Sequence, residues 1–322
     1  MYAIERGMKQ KWLAVLFAIF TICASFGVGN MTQSNAVASF TNEVLHVPFW
    51  ITGLCETVLI ALVVLGGVKM IANVCSVLIP FMALFYVCGA LFVMGFCWDM
   101  VLPAIALILK SAFSTEAVGG GLLGTSIMLA MRYGIARGLF SNESGLGSAP
   151  IIAANAKTRN PVRQALISST GTFWDTVLIC ALTGIIQVAS VLKISPDADF
   201  SSFKAQELAK LSFSLIPGGI YVLTLALVIF ASTTILGWFC YGQQAIYYLG
   251  GKKAMNVYRL LFVVMIFFGA VAKLDLVWNF SDIANGLMAI PNIICLFALC
   301  GIVVKETDRY LKKGSIDDFA ED

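Results

Sequence analysis

Arg137-Gly-Leu-Phe-Ser-Asn-Glu-Ser-Gly-Leu-Gly-Ser-Ala-Pro150 interrupts an otherwise apolar run. Apolar sequence leads in from Gly124 and resumes at Ile151. Between them, Ser141, Asn142, Glu143, Ser144, Gly145, Gly147 and Ser148 cannot form a regular helix facing lipid. Unwound backbone at membrane depth survives only where protein buries it or a wet cavity is lined by it. A helix broken here aims one half-helix C-terminus and one N-terminus at the break, ends that attract cationic and anionic groups respectively. Pro150 suits the first turn of the restarted helix. The alternative is a cytoplasmic loop between two shorter segments, since the stretch from Gly120 to Leu139 is long enough to span alone. A soluble phosphate loop does not fit, because no strand precedes and no GK[ST] follows.

Working outward, the apolar character extends over the chain. Of 322 residues, 59% are hydrophobic and 12% charged, about half the charge of a soluble domain. Eight runs are long enough to cross a bilayer, at 12–39, 49–68, 74–96, 120–156, 164–191, 215–241, 257–274 and 278–304; each must be a helix to satisfy its own backbone in lipid. The fold class is therefore an all-α polytopic membrane protein with about eight spans. The stretch 97–118, carrying Asp99, Lys110 and Glu116, reads as a helix at the interface. With the N-terminus inside, fourteen basic residues fall on the cytoplasmic side: Arg6, Lys9, Lys11, Lys69, Lys157, Arg159, Arg163, Lys252, Lys253, Arg259, Lys305, Arg309, Lys312 and Lys313. Five, Lys110, Lys193, Lys204, Lys210 and Lys273, fall outside. That bias places both termini of this chain in the cytoplasm, with the plasma (inner) membrane as the expected location.

Three further places break the apolar pattern. Asn30, Gln33 and Asn35 lie in Phe26-Gly-Val-Gly-Asn-Met-Thr-Gln-Ser-Asn35, where they either bond between helices or meet a ligand. Asp175, in Gly171-Thr-Phe-Trp-Asp-Thr176, marks a functional path or pairs with Arg132 or Arg137. In Ala231-Ser-Thr-Thr-Ile-Leu-Gly-Trp238, Ser232, Thr233 and Thr234 offer hydroxyl oxygens to a hard cation such as sodium, or bond back to their own helix. Trp238 follows Thr234 by four residues, on the same face. The nine cysteines sit mostly in apolar runs with no CxxC pair, and His46 is the lone histidine. No zinc or other transition-metal site, no cofactor and no enzymatic constellation is expected, and the scattered basic residues imply no nucleic-acid partner.

The 137–150 segment resembles the signature of the alanine or glycine:cation symporter family. So do Gly29-Asn-Met-Thr-Gln-Ser-Asn35, Thr172-Phe-Trp-Asp-Thr176, Thr234-Ile-Leu-Gly-Trp238 and Trp278-Asn-Phe-Ser-Asp-Ile-Ala-Asn-Gly-Leu-Met-Ala-Ile-Pro-Asn292, in the same order. The resemblance implies the leucine-transporter fold: two inverted five-helix repeats, each opening with a broken helix, ten helices in all. Residues 1–96 would then be the last three helices of the first repeat, 97–118 an interfacial segment, 119–304 the second repeat and 305–322 a cytoplasmic tail. It implies symport of a small neutral amino acid, alanine or glycine, with sodium or a proton. Substrate contacts would fall to Asn30, Gln33, Ser141, Asn142, Thr234 and Trp238, cation binding or coupling to Ser232, Thr233, Asp175 and Glu143, and the helix break to Gly145, Gly147 and Pro150. Ser144 stands where the family has alanine. The family begins with two more helices, the first with a Gly-Thr-Gly-Asn-type break that nothing here matches. The chain thus reads as N-terminally truncated, lacking half of the central site. On that reading it is either a piece of a working symporter or an inactive fragment that needs the missing helices.

Overall fold

The computed structural model describes residues 1–112, 134–158, 160–195 and 205–312. They form α1 (Tyr2–Gly7), α2 (Lys11–Phe26), α3 (Thr32–Leu45), α4 (Phe49–Leu65), α5 (Gly67–Phe96), α6 (Trp98–Ala112) and α7 (134–142). There follow α8 (Ala149–Ala153), α9 (Pro161–Thr172), α10 (Ala181–Ile194), α11 (Ala205–Ser214), α12 (Gly219–Val271) and α13 (Leu274–Lys312). π-helical turns at Gly27–Met31 and Phe173–Cys180 join α2 to α3 and α9 to α10. Among the described residues, five helices are long and apolar enough to cross a membrane: Lys11–Leu45, Gly67–Phe96, Pro161–Ile194, Gly219–Val271 and Leu274–Lys312. Phe49–Leu65 is a shorter apolar helix. The chain is thus an all-helical polytopic membrane protein. α12 carries two expected spans, separated by non-helical backbone at Gly251 (φ 65°, ψ −159°). Part of the expected 120–156 span, with Arg132, lies outside the described residues.

The helices wear their apolar side chains outward. On α4 the buried face is Gly53, Glu56, Ile60 and Val64, while Leu54, Val58, Leu59, Leu62 and Leu65 are exposed. This reverses the soluble pattern and suits a lipid surround.

The chain divides into two units. The first joins Met1–Cys75, Glu143–Thr172 and the chain from Ala231 onward. Its core gathers Ile60, Val64, Ile235, Leu236, Phe239, Tyr258, Phe262 and Ile266. Polar rungs stitch the first span to the second half of α12. Ser25 and Tyr258 hydroxyls meet at 3.0 Å; Asn30 donates to the Phe262 carbonyl at 2.7 Å and Ser34 to that of Ile266 at 2.8 Å. Asn35 donates to the carbonyls of Gly269 and Ala272, each at 2.9 Å. Both partners of the rungs advance together, so the two helices run parallel. The close approach requires glycine: a Cβ on Gly269 would sit 2.5 Å from the Met31 Cα.

The second unit joins Ser76–Asn142 and Phe173–Phe230. Its core is Ala90, Val93, Ile186, Phe213 and Ile216, with Cys97, Ala104 and Ala189 packing α6 on α10. The Lys193 ammonium bonds the Asp99 carboxylate at 2.7 Å and the Phe96 carbonyl at 2.6 Å.

Candidate functional site

In the first unit the broken segment organises the site. Glu143 adopts φ 55°, and Gly145 and Gly147 adopt 82° and 85°, left-handed backbone that ends a helix and that glycine accepts readily. The Leu146 N–H closes a turn onto the Glu143 carbonyl at 3.2 Å. The break thus begins at Glu143; Ser141 and Asn142 still belong to the last turn of α7. Pro150 falls in the first turn of α8. α8 has only five residues, so its dipole is short, and the strong anion-attracting end expected from a long restarted helix is reduced.

Glu143 is the hub. Its carboxylate accepts from the Ser148 hydroxyl at 2.6 Å and also hydrogen-bonds Tyr241 and Trp238. The indole N–H can only donate, so the carboxylate orients the Trp238 ring. Trp238 is 2% exposed and meets Tyr241 edge to face at 5.2 Å. Its opposite neighbour is Gly29 in the π turn, where an added Cβ would overlap the Trp238 Cβ and Cγ. Thr233 is buried on the same helix, with Ser232 and Thr234 half-buried.

The π turn is held by its own side chains. The Thr32 N–H and hydroxyl both donate to the Gly27 carbonyl, the hydroxyl at 3.2 Å. The Gln33 amide donates to the Val28 carbonyl at 3.1 Å. A π turn inserts one residue and rotates the helix beyond it, which is why such turns gather at functional sites. Thr32 also meets Ser281 of α13 at 2.7 Å, and Asn292 of α13 donates to the Gly145 carbonyl at 2.9 Å. Pro291, inside α13, cannot donate to its helix and precedes that asparagine. Four of the signature motifs, 29–35, 143–148, 234–238 and 278–292, thus converge in one unit.

The fifth motif lies in the other unit. Asp175 and Thr176 sit in the second π turn. Ser141 donates to the Asp175 carboxylate at 2.7 Å, and Asn142 reaches the Thr176 hydroxyl at 3.4 Å. Arg137 lies over the Phe140 ring, 5.4 Å from its centroid.

Sequence reasoning missed Tyr241, Ser148, Asn292 and the buried Glu56. Ser148 and Asn292 stand inside signature motifs, but only the packing reveals their partners. Tyr241 lies three residues past Trp238, a helical-neighbour spacing.

Glu143 thus stands as a carboxylate at a break among membrane-spanning helices. The chain matches the sodium:alanine symporter family over residues 1–319, and it belongs to that family. It is 44% identical to "Sodium/alanine symporter AgcS" of Methanococcus maripaludis over 96% of this chain and 68% of that protein. An "Uncharacterized transporter" of Haemophilus influenzae is 43% identical over 100% of this chain and 70% of its own length. "Probable sodium/glutamine symporter GlnT" of Bacillus subtilis is 35% identical over 100% of this chain and 66% of its own. The chain therefore spans about two-thirds of the length of these relatives. Its family function is cation-coupled amino-acid symport across a membrane.

Proposed function

We propose that this chain serves sodium-coupled symport of a small neutral amino acid, alanine or glycine, across the plasma membrane by alternating access. The observation that carries the reading is the Glu143 carboxylate at the break, held by Ser148, Tyr241 and Trp238. A carboxylate beside the C-terminal end of α7 supplies negative potential where a sodium ion or a substrate ammonium needs it. Trp238 closes the substrate pocket, with Asn30, Gln33, Ser141, Asn142 and Thr234 as substrate contacts. Ser232, Thr233, Asp175 and Glu143 serve the cation; a coupling proton in place of sodium would use the same two carboxylates. No cofactor takes part. The fold proposed for it is leucine-transporter-like, with eight spans in this chain.

Both termini lie in the cytoplasm, a placement supported by the basic-residue bias. The test is uptake of labelled alanine, glycine and glutamine into proteoliposomes bearing the protein, under a sodium or a proton gradient. Alanine or glycine uptake that collapses without sodium is expected. Uptake driven by the proton gradient alone overturns the sodium assignment, and preference for glutamine overturns the small-substrate assignment.

A further inference from the structure

Glu56 belongs to none of the signature motifs. It lies mid-way along α4, on the face turned from lipid, and is 5% exposed. α4 packs there on α3 and on the second half of α12, where Gly53 admits Ala270, and Ile60 and Val64 join Phe262 and Ile266 in the core. The polar side chain beside the carboxyl group is Ser34. Its hydroxyl proton is committed, because Ser34 donates to the Ile266 carbonyl at 2.8 Å. Neither Glu56 oxygen receives a hydrogen bond, and Thr52, one turn earlier on α4, gives none.

An ionised carboxylate only accepts, whereas a protonated one carries an O–H donor. Ser34 has an oxygen lone pair left and no proton to offer. With no hydrogen bond supplied to either oxygen, the site suits the neutral acid. A buried carboxylate with no donor and no cation is among the costliest groups a protein can hold. The charged and titratable groups on the packed elements do not relieve it. Glu43 of α3 is exposed near the far end of its helix. Tyr258 of α12 is bonded to Ser25. Arg259 of α12, and Lys273 beyond its end, make no hydrogen bond to either oxygen.

We propose that Glu56 is a proton-binding site: it holds a proton in this conformation and releases it to water only when α4 separates from α3 and α12. On release the O–H bond breaks, the proton passes to water and a carboxylate remains. This site is separate from the Glu143 cluster and does not depend on which ion drives transport.

The test is infrared difference spectroscopy on the purified, membrane-reconstituted chain at about pH 7, where an ordinary glutamate is ionised. Expected is a carboxylic-acid C=O band that shifts in D2O and disappears in Glu56→Gln. Glu56→Gln should fold, because a neutral amide, like the neutral acid, brings no charge into the buried site. No acid band, a band unchanged in Glu56→Gln, or a Glu56→Gln variant that fails to fold each overturns the proposal. None of these readouts requires transport, so a failure here is distinguishable from a failure of the symport assignment.

Discussion

Gly29→Ala tests the contact that ties the first span to the candidate site. The new Cβ would overlap the Trp238 Cβ and Cγ and come within 2.6 Å of Cδ2, where carbon pairs settle at about 3.5–4.0 Å. Neither side can yield easily. The offended atoms are the root of the Trp238 side chain, whose ring is held by Glu143. The Gly29 backbone is anchored by its neighbour Asn30, bonded to Phe262 at 2.7 Å. Overpacking a core costs about 1–3 kcal/mol, and with both backbones helical the upper end, about 3 kcal/mol, is expected. The ordinary gain of alanine over glycine in a helix, about 0.5–1 kcal/mol, offsets part, leaving a net loss of about 2 kcal/mol. Gly237→Ala is the control, because nothing lies within 4 Å of its Cβ; it should stabilise by about 0.5–1 kcal/mol. Thermal unfolding in detergent should move the two variants in opposite directions, with Gly29→Ala lower by several degrees. Adding Trp238→Gly should recover part of the loss, whereas Trp238→Ala keeps the offending Cβ and should not. A Gly29→Ala protein that melts with Gly237→Ala would refute the contact.

The same reasoning extends to the break. Gly147→Ala places a Cβ 2.7 Å from Asn292 and 3.0 Å from Phe17, at φ 85°; it should cost more than Asn292→Ala, which removes one hydrogen bond worth about 1 kcal/mol, and comparison of their unfolding midpoints checks the order. Trp238→Ala should lower uptake by folded protein more than replacement of any one of the nine cysteines; equal uptake would count against the pocket placement. The Lys193 ammonium beside Asp99 holds that carboxyl below the usual carboxylate range. A depressed value in the folded protein means that the bridge contributes above the unfolded value of about 3.9 and is lost as pH falls through the folded one. Faster hydrogen exchange in α6 is expected at low pH, and Asp99→Asn should produce it at neutral pH and abolish its pH dependence.

The sequence alone determined that this chain lives in lipid. Long apolar runs, few charges and the asymmetry of Lys and Arg leave a helical bundle as the physical option, because backbone in hydrocarbon must bond to itself. It also singled out Ser141 to Ser148 as unable to continue a lipid-facing helix; the structure keeps Ser141 and Asn142 helical and unwinds the chain from Glu143. Pairing was decided elsewhere. Glu143 meets Trp238 and Tyr241 across about a hundred residues of chain, and no local pattern encodes which indole a carboxylate orients. The π turns at Gly27–Met31 and Phe173–Cys180 differ from α-helix by one residue per turn, too little for hydrophobic periodicity to register. Glu56 is the clearest case: in sequence it is one acid within an apolar run, and only the packing of α3 and α12 shows that neither of its oxygens receives a hydrogen bond.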